Sequence, residues 1–141
     1  MSREEEIVAA LVATGKWGPT AARRGVRANF RCEYCDRDLL ASVNDYKEWQ
    51  EDHIVPVSSG GKDEDENVAI ACRTCNFNVK GKWDPRSVCG GNATRQELVD
   101  AVRRYVAQRR TKFLEDVLLF RKIAYSVTDN GEGRDAGKDG T

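Results

Sequence analysis

The sequence predicts a small α+β domain built around one metal site, and three observations lead there. Two Cys-x-x-Cys pairs, Cys32/Cys35 and Cys72/Cys75, bracket His53, the sole histidine. Between the pairs, two short strand-like runs flank a turn-rich acidic segment. Outside them, two stretches with apolar residues at helical spacing each open on a capping-box pattern. A chain of 141 residues has room for one modest core, so a metal held by four thiolates would supply much of its stability.

Ser2-Arg3-Glu4-Glu5 reads as a capping box, and Ile7, Val8, Leu11 and Val12 form the stripe of a first helix stopped at Gly15. Residues 16–30 are broken by glycine and carry Lys16, Arg23, Arg24 and Arg27, and they read as an irregular lead-in to the first cysteine pair. Residues 39–50 fit neither period. Trp49 to Val57 reads as a strand ending at Pro56, with Asp52-His53 near its exit. Residues 58–66 are a loop, and Val68-Ala69-Ile70-Ala71 reads as the returning strand.

After Cys75, residues 76–80 read as a short helix stopped by Gly81 and Pro85. Thr94-Arg95-Gln96-Glu97 is a second capping box, opening a helix with the face Leu98, Val102, Tyr105 and Val106. Arg109 to Lys112 interrupts that stripe, so one long rod and a break into a second helix from Phe113 to Ile123 both satisfy the pattern. Residues 128–141 are glycine-rich and polar and are expected to be disordered, leaving 1–127 as a single domain.

A net charge of zero conceals segregation. Residues 45–66 carry eight acids against Lys47 and Lys62, while residues 80–122 carry eleven Lys/Arg against five acids. Such blocks suit a cation site beside a polyanion-binding surface, and equally two solvated faces of opposite sign. The acidic start Arg3-Glu4-Glu5-Glu6 is unlike a signal peptide, and no apolar run is long enough to span a bilayer. The thiols are therefore expected in a reducing, cytoplasmic setting, away from any membrane. There, paired Cys-x-x-Cys reads as zinc before disulfide.

Each Cys-x-x-Cys turn offers two thiolates to one ion, so Cys32, Cys35, Cys72 and Cys75 make a closed, structural zinc site without an open position for chemistry. A redox dithiol would need a βαβ setting that is absent, and Cys89 stands apart as a free thiol. His53-Ile54-Val55 lacks the glutamate of a zinc deaminase. The candidate chemistry thus falls to His53, whose imidazole can take a proton near neutrality.

Asp52-His53-Ile54-Val55-Pro56, Ser59-Gly60-Gly61, Asn67, Cys72-Arg73-Thr74-Cys75-Asn76 and Lys80-Gly81 together resemble the HNH endonuclease motif in its zinc-knuckled form, with Asn in the third position. The resemblance spans residues 32–81 and implies a ββα-metal (His-Me finger) core. It further implies that His53 is the general base and that Asn67 holds the histidine loop. Asp52 and Asn76 would bind a catalytic Mg²⁺ or Mn²⁺. One departure stands out: the lysine follows Asn76 by four residues where three are expected, which leaves Asn78 as an alternative ligand. Asn76 is preferred because it abuts the anchoring cysteine.

The implied reaction is hydrolysis of DNA phosphodiesters to 5′-phosphate and 3′-hydroxyl ends. Lys80, Lys82 and Arg86 are the expected phosphate contacts, with Arg103, Arg104, Arg109 and Arg110 as further candidates. No base-reading module is evident, so weak or shape-based specificity is expected, with a partner as a possible aid, and double-strand cleavage calls for a homodimer or two nicks. The rival reading is a non-catalytic zinc-ribbon module that binds nucleic acid or protein.

Overall fold

The two strand-like runs pair as expected in the computed structural model, which describes residues 1–126. The elements are α1 (Arg3–Ala13), α2 (Pro19–Arg27), α3 (Val43–Tyr46), β1 (Trp49–His53), β2 (Val68–Cys72), a π-helical segment (Thr74–Lys80), α4 (Arg86–Cys89) and α5 (Arg95–Ser126). Strands β1 and β2 form a two-stranded antiparallel sheet with Trp49 opposite Cys72 and His53 opposite Val68. The fold is α+β with helices flanking this sheet and a four-cysteine cluster at one end. The chain divides into two compact units, Met1–Ala107 and Gln108–Thr141. The expected disorder of 128–141 lies outside the described residues.

In the first unit, every residue of β2 is buried, so the strand does not alternate between an inner and a wet face. Its outer edge is covered, because Glu33 donates its backbone N–H to the Ile70 carbonyl while its carboxylate accepts from the Ile70 N–H. That satisfies backbone groups a two-stranded sheet would leave open. The core joins β2 to Cys32, Tyr34, Leu39 and Ile54, and to Val99, Val102 and Val106 of α5. The cysteine cluster and the apolar core are thus one body.

Both capping boxes form. Ser2 Oγ accepts from Glu5 N and Glu5 Oε1 from Ser2 N; Thr94 and Glu97 exchange the same two bonds at the start of α5. Helix α5 runs unbroken through Arg109–Lys112 to Ser126.

Two expectations are corrected. The lead-in at 16–30 is not irregular: Pro19 starts α2, where its fixed φ suits the first turn and its missing N–H costs nothing. Gly25 in that helix is a packing device, since a Cβ there would meet the Phe30 ring at 2.8 Å. Trp17 packs edge-on against both Phe30 and Trp49, tying this segment to the head of β1. The first strand also ends at His53, short of Val57, because Ile54 turns its N–H to the Asn67 carbonyl and Val55 to the Asn67 side chain.

The charge blocks resolve into internal pairs. Arg24 bridges Glu51 and Asp65, Arg37 bridges Asp45 and Glu48, Lys80 meets Asp52, and His53 meets Asp63. Six of the eight acids in the acidic block thus have partners within the chain, so the block is not a vacant cation surface.

Candidate functional site

Cys32 and Cys35 sit on a turn closed by bonds from Asp36 N to the Cys32 carbonyl and from Cys32 N to the Arg37 carbonyl. Cys72 ends β2, and Cys75 lies in the first turn of the π-helical segment with its N–H aimed at Cys72 Sγ, 3.4 Å away. All four Sγ atoms lie within 4.8 Å of one another, with Cys35 and Cys72 at 3.8 Å. Zn–S bonds of about 2.3 Å in a tetrahedron require sulfurs about 3.8 Å apart, so the donor set fits zinc.

The thiols are electrostatically unequal. Cys72 is lowered to about 6, chiefly by its hydrogen bond with Cys32, and Cys35 is lowered for the same reason. Cys32 is raised, chiefly by its bond with Cys35. Four sulfurs this close repel one another as bare thiolates, a conflict that a dication removes. Arg103 of α5 steadies this turn by donating to the Glu33 carbonyl and the Asp36 carboxylate, and Arg95 pairs with Glu33. Arg103 therefore serves the knuckle.

His53 closes β1 with its side chain partly exposed. Its Nε2 lies 2.9 Å from Asp63 Oδ1. A carboxylate only accepts, so Nε2 donates this bond, and in the neutral imidazole Nδ1 is then the nitrogen with the lone pair. Asp63 comes from the acidic loop, and the sequence offered no signal for it beyond loop composition.

Asn67 staples that loop. Its Oδ1 accepts from Val55 N, and its Nδ2 donates to the carbonyls of Val55 and Lys62, each at 2.9 Å. Gly61 makes the closure possible, because a Cβ there would stand 1.9 Å from the Val55 oxygen. Arg86 adds a tie, donating to the Ser59 carbonyl while its guanidinium pairs with Asp84. That pair holds the Asp84 carboxyl below the ordinary aspartate range.

Asp52 points to the opposite side of β1 from His53, into the protein. Its Oδ2 accepts from the Tyr34 hydroxyl at 2.7 Å and lies 3.1 Å from Lys80 Nζ. Burial first, and then the Asp52 charge, hold the Tyr34 phenol well above its ordinary value, so it remains a donor. Lys80, expected at a phosphate surface, is instead buried with 3% of its area exposed, and it also donates to the His53 carbonyl. Of the expected phosphate contacts, Lys82 is exposed and Arg86 partly so.

The extra residue between Asn76 and Lys80 has a structural answer. Thr74–Lys80 winds as a π-helix, with Gly81 N bonded to the Asn76 carbonyl five residues back. A π turn holds one residue more than an α turn, so Lys80 still returns to the face that carries Asn76. Asn76 faces β1, its Nδ2 2.6 Å from Gln50 Oε1, whereas Asn78 is exposed beside Phe77 and Arg73.

Gln50 and Asp52 alternate onto one face of β1, so Asn76 and Asp52 share that side of the sheet. Each leaves one oxygen, Asp52 Oδ1 and Asn76 Oδ1, of the hard type that Mg²⁺ takes. The donor types fit a hard dication, with the Lys80 ammonium as its competitor at Asp52.

Among the described residues, no helix is long and apolar enough to cross a membrane. Residues 32–81 match the family model described as HNH endonuclease, a span that opens on Cys32 and closes on the glycine after Lys80. No curated protein and no solved structure matches the chain.

Proposed function

We propose that the HNH segment is a divalent-metal-dependent endonuclease site that hydrolyses DNA phosphodiester bonds and leaves 5′-phosphate and 3′-hydroxyl ends. The observation that supports this most is the state of His53. It stands at the exit of β1 inside residues 32–81, with Nε2 tied to Asp63, which leaves Nδ1 as the acceptor of the neutral ring.

His53 Nδ1 takes the proton of the attacking water, and Asp63 orients the ring and offsets the imidazolium that results. Asn67 holds the loop that carries Asp63, so base and orienting carboxylate keep one geometry. Asp52 and Asn76 would hold Mg²⁺ or Mn²⁺, which would neutralise charge on the transferring phosphate and its leaving oxygen. Lys82 and Arg86 meet the flanking phosphates, contacts that give affinity without reading sequence. The zinc knuckle holds β2 and the π-helical segment in place and takes no part in bond breaking. A single site cuts one strand at a time.

The test is supercoiled plasmid incubated with the zinc-loaded protein in Mg²⁺, in Mn²⁺ and in EDTA. Nicked circles in either metal and none in EDTA are expected. Intact plasmid across these ions would overturn the reading. One observation favours the rival, a non-catalytic zinc module that binds nucleic acid or protein: Lys80 and Tyr34 already engage Asp52. That module predicts plasmid binding with no cleavage in any metal.

A further inference from the structure

The bond between His53 Nε2 and Asp63 Oδ1 lies in the open, with 36% and 81% of the two side chains exposed. A contact so exposed holds its own geometry weakly, because water competes for both partners. Asp63 must therefore be placed by its neighbours in the chain. On one side, Asn67 holds the Lys62 carbonyl. On the other, Asp65 is gripped from α2, an element outside the residues that match the family model. Arg24 directs Nε and Nη2 to Asp65 Oδ1, at 2.8 and 2.6 Å, and Arg27 donates to the Asp65 carbonyl at 3.0 Å. Arg24 also sends Nη1 to Glu51 Oε1, at 2.6 Å.

We propose that Arg24 is a positioning residue that sets the His53–Asp63 pair. Glu51 precedes His53 by two residues, so the two share a face of β1. Asp65 follows Asp63 by two. One guanidinium thus spans the same two segments, β1 and the acidic loop, that His53 and Asp63 join. It does so with 16% of its side chain exposed, where water competes less. Its hydrogen bond holds the Asp65 carboxyl below the ordinary aspartate range, so the loop end of the bridge stays charged. The fork matters, because a guanidinium presents several N–H groups at fixed angles to two carboxylates, whereas an ammonium is a point charge without that geometry. The effect of Arg24 on rate rests on the nuclease reading, and its effect on the imidazole does not.

The test reads His53 in two ways in the full zinc-loaded chain, with zinc content as the folding control. His53 is the sole histidine, so its ring nitrogen signals are unambiguous in NMR spectra. With the ring neutral, Asp63→Ala is expected to shift the Nε2 signal, and Arg24→Gln and Arg24→Lys to shift it the same way by about half as much or more. With plasmid and Mg²⁺, both Arg24 variants should lower kcat about tenfold and leave KM within about twofold of wild type. In an Asp63→Ala background, Arg24→Gln should cost less than about twofold further, because the group it places is gone. An arginine that served stability alone would lower both backgrounds alike. Should Arg24→Gln lose its zinc, Glu51→Gln, which cuts the β1 arm of the bridge, carries the same ring test. Ring signals unchanged in the zinc-loaded variants overturn the proposal, as does a rate loss that adds in full to that of Asp63→Ala. Intact plasmid with wild type sinks the nuclease reading alone, and the ring signals then decide whether Arg24 sets the pair.

Discussion

Lys80 Nζ lies 3.1 Å from Asp52 Oδ2, with 0% and 10% of the two side chains exposed. The pair joins the end of the π-helical segment to β1 one residue before His53, and Tyr34 completes it. Removing one partner of a buried pair strands the other charge, at about 3–5 kcal/mol. Lys80→Met is therefore expected to lose about that much stability in urea denaturation of the zinc-loaded protein, and Asp52→Asn/Lys80→Met to recover most of it. A Lys80→Met loss of about 0.5 kcal/mol, the size of a surface change, would mean that the pair is not buried as described.

Asn67 makes three hydrogen bonds to two backbone segments. Asn67→Ala should cost about 1–3 kcal/mol and speed hydrogen exchange at the Val55 amide, where the lost acceptor is felt. Gly61→Ala should be worse, because its Cβ would overlap the Val55 oxygen and the loop must open. Unchanged Val55 exchange in Asn67→Ala would show that the staple is not formed.

Zinc removal should unfold the first unit, since Cys32, Cys72 and Cys75 are part of its core. The pH dependence follows from the thiols. Cys72 and Cys35 are depressed, so each contributes stability that is complete above the ordinary thiol value and lost as pH falls through its folded value, which for Cys72 is about 6. Cys32 is raised and opposes this in the metal-free protein, but zinc requires all four as thiolates. Zinc release to a chromophoric chelator should therefore rise as pH falls through and below about 6. Release that is flat between pH 8 and 4 would contradict a four-thiolate site.

Much of this was legible in the sequence because the signals are local. The cysteine spacing, both capping boxes and the two strands each depend on a few adjacent side chains, and each is present. Helix α2 was hidden because the glycines of residues 16–30 read as breakers; Gly18 is in fact its N-cap and Gly25 its contact with Phe30, with Pro19 in its first turn. The partners of the two motif side chains were beyond reach. Asp63 reaches His53 only after the acidic loop closes, and Tyr34 reaches Asp52 from inside the first cysteine turn. The extra residue before Lys80 was visible, but its absorption as a π turn was not, because that depends on Cys75 and Lys80 both being held by the core.

The same turn separates the two asparagines. Asn76 faces Gln50 on the side of β1 that carries Asp52, while Asn78 is exposed. Asn76→Ala is expected to lower plasmid nicking about a hundredfold or more and raise the Mg²⁺ concentration needed, with Asn78→Ala within about threefold of wild type. The reverse order would move the ion to the outer face of the segment.

The proposed function divides the labour: the four cysteines hold the scaffold, and His53, oriented by Asp63, would do the chemistry. The most direct measurement sets plasmid nicking beside zinc content and melting temperature in His53→Ala. One zinc per chain, an unchanged melting temperature, and nicking reduced about 10²–10⁴-fold are expected. Nicking at the wild-type rate by zinc-loaded, folded His53→Ala would contradict this division.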